Sequence, residues 1–525
     1  MGIFINRGNN DFQRILNGEY VDKSGLIAVV NGTLFTERSM SCVTRCRRFG
    51  KSMAAKMLCA YYDGSCDSRS LFAELEIAQD PSFEKHLNKY SVIYLDITSF
   101  ITRFKDDDSI VNHIDREVRA DVQKAFPDIP AEDGDDLMAL LLRIVMKTGK
   151  PFFFIIDEWD AICREFPPGS KGMDNYVDWL RRMFKDVSAN TAFAGVYMTG
   201  ILPIKKYNTQ SALNNFEEYS MVKPGSVARY FGFTKEEVRL LAEKHQMDID
   251  ELEKWYDGYQ IGSQPSMFNP NSVMVALREQ WCQNYWSRTA GLDSVVKYIS
   301  MNYEGLKDDI LKMLTGDRCL VDPIGFNNDL SDVRSRDDVL TVLIHLGYLS
   351  YDRREEECFI PNLEVLDEMK NAIRDTSWTN VADALQQSRQ LLLSTIAGNE
   401  EAVARALTDA HSEDTSILSY NDENSLACVI SIAYYYARND YHVHREYASG
   451  KGFADMVMIP RKNVNKPALI VELKKDKNVR TGIDQIKERN YPQKLAEYTG
   501  DIVLVAINYD TDSKQHTCRI ERWSK

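Results

Sequence analysis

The chain has 525 residues, 44% of them apolar and 27% charged, with a formal net charge of −14. That length suggests about three domains, and the composition is that of a soluble globular protein, which excludes the disordered, collagen-like and fibrous classes. The acidic balance argues against a generally adhesive nucleic-acid binder. No run of about 18 apolar residues is available for a transmembrane helix, so no membrane partner is expected. The ten cysteines form no CxxC pair, so neither a zinc site nor a disulfide framework is expected. The start, MGIFINRGNNDFQ, lacks a basic segment followed by a long apolar one. No signal peptide is expected, and the expected location is cytoplasmic.

From residue 1 to about 220, short apolar runs alternate with helical patterns. The runs are SCVTR (41–45), VIYLDI (92–97), FFFIID (152–157) and AFAGVYMTG (192–200). Between them lie KSMAAKMLCAYY (51–62) and LMALLLRIVMKT (137–148). Continuous apolar strands alternating with helices predict a parallel sheet covered on both faces.

Arg45-Cys46-Arg47-Arg48-Phe49-Gly50-Lys51-Ser52 follows the first strand and opens a helix. Gly50, Lys51 and Ser52 in that setting fit the end of a P-loop. Backbone N–H groups at a helix N-terminus cradle phosphate, the lysine reaches the β- and γ-phosphates, and the serine hydroxyl ligates magnesium. The first glycine of that motif is replaced by Arg45. A lysine in such a loop is expected to be exposed and to support little packing. Arg47 and Arg48 meet phosphate, a partner or only solvent; the pattern fits each. About 105 residues on, an apolar strand ends in Asp157-Glu158. There Asp157 is expected to hold magnesium through water, and Glu158 to polarise the attacking water. The strand at 92–97 between the two pieces marks the P-loop class with an inserted strand and a catalytic glutamate. Thr199, at the end of the next strand, is placed to sense the γ-phosphate.

Residues 221–410 read as mostly helical, and Thr234 with Glu237 fits a capping box. VLTVLIHLGYLSYDRREEECFIPN (339–362) reads as a helix running into a hairpin. That resembles a winged-helix element, and an ordinary helix plus hairpin fits equally well. Trp255-Tyr256-Asp257-Gly258-Tyr259 reads as a packed turn, with base stacking as the other reading. Residues 411–424 are polar and read as a linker. Then come a helix (425–438), strands at 454–460, 468–474 and 501–509, and a helix at 483–499. His442 and His444 alternate on a strand-like run without a suitably placed ligand partner, so no metal site is expected there.

Asp455 precedes Glu472 by seventeen residues, and Lys474 shares a strand face with Glu472. Two carboxylates converging on magnesium, with a lysine beside the attacking water, make a phosphodiester-cleaving site of the PD-(D/E)XK kind. An amphipathic hairpin with a charged end has the same spelling. Residues 441–525 carry 16 Lys+Arg against 11 Asp+Glu, so the basic excess lies where contacts to a phosphate backbone would be needed. Lys475, Lys477 and Arg480 fit such contacts or a solvated charge run.

The segments YVDKSGLIAVV (20–30), TRCRRFGKS (44–52), FFFIIDEWD (152–160), TGILPIKKYNTQSALNN (199–215), FGFTKEEV (231–238), WYDGYQIG (255–262) and FNP (268–270) together resemble the bacterial AAA-ATPase-like family. Its members commonly carry a nuclease-fold domain after the ATPase. The stretch from GKGFADMVMIP (450–460) through INYDTDSKQHTCRIE (507–521) resembles that second domain. Members usually have proline at the Cys46 position and often arginine at the Pro203 position, so no sensor arginine is assigned. Gln485 and Tyr491 are spaced more widely than the QxxxY pattern of some relatives.

These readings give an α/β chain in three parts. They are a P-loop ATPase with a parallel sheet (1–220), a helical or winged-helix-like middle (221–410) and a PD-(D/E)XK nuclease-like domain (411–525). The expected function is ATP binding and hydrolysis coupled to Mg²⁺-dependent cleavage of nucleic acid, DNA foremost. The rival is an ATP-switched module that binds nucleic acid or protein without cutting. Homo-oligomerisation is left open.

Overall fold

The computed structural model describes all residues except 1, 105–107, 167–169, 205, 208–209, 212, 287–291, 328–329, 331, 375, 377, 411–422, 449–452, 462–463, 489–497, 499 and 524–525. It divides into two compact units, Met1–Ala290 with Leu320–Leu366, and Gly291–Cys319 with Asp367–Lys525.

The first unit is built on β1 (Met40–Thr44), β2 (Ser91–Asp96), β3 (Phe152–Asp157), β4 (Phe193–Gly200) and β5 (Glu217–Tyr219). They lie in the order β2-β3-β4-β1-β5, and every neighbouring pair is parallel. The four apolar runs become β1 to β4. The fifth strand gave no signal, because Glu-Glu-Tyr is short and polar; it joins by pairing Ser41 with Glu217. Parallel neighbours need crossover helices. Two of the helices, Lys51–Tyr62 and Leu137–Thr148, occupy the ranges their patterns predict.

Side chains on the strands alternate between two cores. Phe152, Phe154 and Ile156 pack with Ile93, Leu95 and Met198. Phe153 and Ile155 pack with Tyr94, Tyr197 and, from the Lys51–Tyr62 helix, Ala55 and Leu58. This period of two places Asp157 on the face that this helix covers. The register pairs Thr44 with Gly200, Asp96 with Asp157 and Ile156 with Met198, so the carboxy ends of the strands come level at one edge. In open α/β sheets that edge is where ligands bind.

Beyond the sheet, Thr234 caps the helix Lys235–His245 through a full capping box with Glu237. Residues 339–362 fold as expected, as the helix Arg336–Leu346 followed by antiparallel strands Ser350–Asp352 and Glu357–Phe359. Tyr259 is fully buried; its ring meets Phe49 edge-on at 5.0 Å, and its hydroxyl donates to the Gly347 carbonyl at 2.9 Å. The aromatic turn therefore packs behind the loop at 45–50 and offers no free stacking face at Tyr259.

The second unit carries a mixed sheet, β6 (Tyr441–Ala448), β7 (Phe453–Pro460), β8 (Ala468–Lys475), β9 (Ile502–Asp510) and β10 (Gln515–Trp523), in that order. Only the β8 and β9 pair is parallel. Helices Thr379–Ala397, Glu400–Ala410 and Glu423–Ala433 cover one face through Leu391, Val403 and Ile430. Helix Val479–Glu488 covers the other through Ile483 and Ile486. Residues 411–422 of the expected linker and 489–497 of the expected last helix lie outside the described residues. Among the described residues no helix is long and apolar enough to cross a membrane.

Helix Val479–Glu488 approaches its sheet closely at Gly482, where an added Cβ would lie 2.8 Å from the Ala506 Cβ. Gly482→Ala gains about 1 kcal/mol of helix propensity and costs about 1–3 kcal/mol in overpacking. A net loss of stability is expected, measured by urea unfolding. A variant as stable as wild type would show that this helix has room to move.

Candidate functional site

The loop between β1 and the following helix is built over two buried cations. Arg45, in place of the expected glycine, is fully buried. Its guanidinium donates to the carbonyls of Thr44 at 2.8 Å and Tyr219 at 2.9 Å, and lies 5.5 Å from the Phe231 ring centroid. Burial lowers its pKa to about 10, so it remains charged at neutral pH. Lys51 is only 4% exposed, against the expectation of an exposed loop lysine. Its Nζ donates to the carbonyls of Arg45 at 2.9 Å and Cys46 at 3.0 Å, because the loop turns both oxygens inward. Burial pulls the Lys51 ammonium down, opposed first by the charge of Glu158. Gly50 caps the helix with φ +88°. The N–H groups of the first turn have no partner within the helix and face outward from its positive end.

The structure brings Ser52 and Asp157 together. The Ser52 hydroxyl lies near enough to the Asp157 carboxylate to favour its charged form. Tyr94 on β2 donates to Asp157, at 2.9 Å. Asp157 is almost fully buried, and desolvation raises its pKa from 3.8 to about 6 despite those two hydroxyls. A hydroxyl and a carboxylate side by side are hard oxygen donors of the kind magnesium takes.

Glu158 follows β3 with φ +53°, a left-handed conformation uncommon outside glycine. Its carboxylate pairs with Arg164 at 2.6 Å. Arg164 also pairs with Asp160 at 2.9 Å. Asp160 is fully buried and accepts the backbone N–H groups of Ile201 at 3.2 Å and Leu202 at 2.9 Å. Thr199 lies inside the sheet: it is fully buried, and its hydroxyl donates to the Val43 carbonyl at 2.9 Å. The chain reaches the cavity just beyond it, at Ile201. Tyr94, Asp160 and Arg164 were not singled out from sequence. The last two left a signal, an acid and an arginine four residues apart straight after the Asp157-Glu158 pair.

Gly50, Lys51, Ser52, Glu158 and Arg164 line one cavity of about 1000 Å³. Tyr20, Tyr230, Phe233 and Met274 supply apolar lining. Lys23, also on the wall, pairs with Glu237 of the capping box at 2.7 Å. Small-molecule pockets run from about 300 to about 1000 Å³, apolar with a few placed polar groups.

In the second unit, β7 and β8 pair Met456 with Val471, which sets Asp455 against Glu472 one position further on. Glu472 is 1% exposed, Lys474 donates to its Oε1 at 2.8 Å, and Gln485 of the covering helix donates to the same oxygen. Asp455 accepts the Leu473 N–H at 2.6 Å. The structure thus brings Asp455, Glu472 and Lys474 to one point and adds Gln485. Two carboxylates in register form a hard-oxygen pair that fits magnesium. Tyr491 lies outside the described residues.

Residues 7–209 match the family described as predicted AAA-ATPase, and residues 421–519 match the PD-(D/E)XK nuclease superfamily. The chain joins an AAA-ATPase-like domain to a nuclease-superfamily domain. An uncharacterised protein from the vnfD 5′ region of Azotobacter chroococcum mcd 1 is 21% identical over 541 residues, covering 97% of this chain and 96% of that protein. Among solved structures, the Aeropyrum pernix ORC2 protein in ADPNP–ADP complexes is 10% identical, covers 69% of this chain and 97% of its own, and has a TM-score of 0.28. A DNA replication initiation factor is also 10% identical, covers 80% and 95%, and has a TM-score of 0.25.

The raised pKa of Asp157 has a consequence for stability. A carboxyl whose pKa rises on folding favours the folded chain below its unfolded value, 3.8, and loses that contribution as pH rises through about 6. In metal-free buffer near neutral pH, Asp157→Asn is expected to be more stable than wild type by on the order of 2 kcal/mol. The gap should close in acid. Unfolding measured against pH checks this, and a gap independent of pH would contradict it.

Proposed function

We propose that the first unit binds and hydrolyses ATP with Mg²⁺ and that the C-terminal domain cleaves nucleic acid, DNA foremost, with Mg²⁺ of its own. On this reading the chain is a cytoplasmic bacterial protein, and its working division is 1–220, 221–410 and 411–525. The observation that supports the ATPase part best is the convergence of Lys51, Ser52 and Glu158 on one cavity, with the Asp157 carboxylate beside Ser52. Ser52 and Asp157 would hold the metal ion, which when bound neutralises charge on the β- and γ-phosphates. The Gly50–Lys51 turn cradles the phosphates with backbone N–H groups, and the Lys51 ammonium leaves the two carbonyls to meet them. Glu158 takes a proton from water as the water oxygen bonds to the γ-phosphorus. The bond from that phosphorus to the bridging oxygen breaks, its electron pair leaving with ADP, and inorganic phosphate is the other product.

At the second site Asp455 and Glu472 would hold the metal, which when bound supplies Lewis acidity toward the scissile phosphate. Lys474 positions the attacking water, and Gln485 fixes the Glu472 carboxylate. The nearby Lys475, Lys477 and Arg480 suit contacts to a phosphate backbone. The test of the whole reading is a cleavage assay on single- and double-stranded DNA and RNA with Mg²⁺, with and without ATP. Wild type that hydrolyses ATP and cuts nothing with Mg²⁺ or Mn²⁺ would replace the nuclease by the rival reading, a binding module.

Lys51→Ala is expected to abolish nucleotide binding. Because the ammonium satisfies two loop carbonyls, it should also lower stability by about 1–3 kcal/mol, read by thermal unfolding. Glu158→Gln should keep ATP bound and lose turnover by about a hundredfold or more; turnover at the wild-type rate would remove Glu158 from this role.

Asp455→Ala, Glu472→Ala and Lys474→Ala should each eliminate cleavage. Calorimetry should show weaker Mg²⁺ binding for the two carboxylate variants and not for Lys474→Ala, since losing the lysine relieves repulsion with the ion. DNA binding in low-metal buffer should survive both carboxylate changes.

A further inference from the structure

The cavity holds an arginine that the hydrolytic scheme above leaves unused. Arg164 stands between two carboxylates that are not equivalent. Asp160 is fully buried and held by the Ile201 and Leu202 N–H groups as well as by Arg164. Gly200 lets it sit there: a Cβ on that residue would fall 2.4 Å from the Asp160 Oδ1. Glu158 is the open end. Its side chain is 26% exposed against 0% for Asp160, and it lines the cavity together with Lys51, Ser52 and Arg164. One arm of the guanidinium is therefore tied to a fixed anchor, and the other rests on a group that faces the cavity.

We infer that Arg164 is a phosphate-sensing residue of this site, which passes its free arm from Glu158 to the γ-phosphate of a bound nucleoside triphosphate while Asp160 keeps hold of the other. The inference rests on the ATPase reading. While Arg164 lies on it, one oxygen of Glu158 is taken up by the guanidinium at 2.6 Å. A γ-phosphate carries more charge than a carboxylate and takes the same planar fork. Its arrival draws the arm away and leaves that oxygen open to a water in the cavity. A diphosphate has no γ-phosphate to compete, so the pair persists.

Calorimetry on the full chain with Mg²⁺, ADP and a slowly hydrolysed ATP analogue tests this. Wild type is expected to prefer the analogue, and Arg164→Gln to lose that preference by about tenfold or more with ADP affinity unchanged. Glu158→Gln, which removes the competitor, should bind the analogue more tightly than wild type and ADP equally well. In the double variant the Glu158 change should no longer alter analogue binding. If Arg164→Gln fails to fold because Asp160 is left without its cation, Arg164→Lys carries the test. A single ammonium can pair with Asp160 but cannot span to phosphate, so the same loss is expected. An unchanged ratio of analogue to ADP affinity in the folded variant, or an unchanged analogue affinity in Glu158→Gln, overturns the role of Arg164. Wild type that binds neither nucleotide overturns the ATPase reading itself, and this inference with it.

Discussion

In the first unit the hydrogen-bond register pairs Thr44 of β1 with Gly200 of β4, and Ile156 of β3 with Met198 of β4. That alignment brings the carboxy ends of three strands to one level. The loop after β1, the acids after β3 and the backbone after β4 consequently meet at one edge without long side chains having to reach. The alternation along β3 then sorts the acids. Asp157, in phase with Phe153 and Ile155, turns to the helix that carries Ser52. Glu158, one residue on and in a left-handed conformation, leaves the strand for the cavity. A one-residue slip of β3 would exchange the two faces and break this placement.

The same edge concentrates buried charge. Arg45 and Lys51 are cations largely out of water, and Asp157 and Asp160 are anions likewise. Such groups are tolerated only when hydrogen-bonded, and each one here is. The cations take carbonyls of the loop and of neighbouring strands; Asp160 takes two amides and Arg164. The carbonyls that hold the cations fix the path of the loop, so the electrostatics and the backbone shape have one cause. The second unit repeats the principle on a smaller scale, where Lys474 and Gln485 share one oxygen of the buried Glu472.

Local pattern revealed the parts of the molecule whose signal lies within a few residues. Helices 51–62 and 137–148 and strand 152–157 fall where periodicity and apolar runs place them, because burial on both faces leaves a long unbroken signature. The capping box at 234–237 was legible for the same local reason. Strand β5 was not, since three polar residues owe their strand to a partner far away in sequence. Strand β10 was missed too; exposed and buried residues alternate over its first half, as at a sheet edge. At the site, residue identities were legible and their burial was not. Lys51 looks exposed in a loop rich in arginine; only the folded chain shows the carbonyls of Arg45 and Cys46 closing over its ammonium. Arg45 was visible as a departure from the glycine pattern, but its partner Tyr219 lies on β5, which the pattern did not show.

Arg45 also sets how the two anion-binding surfaces proposed for this chain should differ toward dissolved salt. Mobile ions weaken the attraction between surface cations and phosphate within a few ångströms of solvent. They have no access to a guanidinium sealed under the loop, and low-polarity surroundings transmit its field with less attenuation. A phosphate resting on the loop would keep that part of its attraction at high ionic strength. A polyanion held by Lys475, Lys477 and Arg480 would lose its attraction steeply as counter-ions compete.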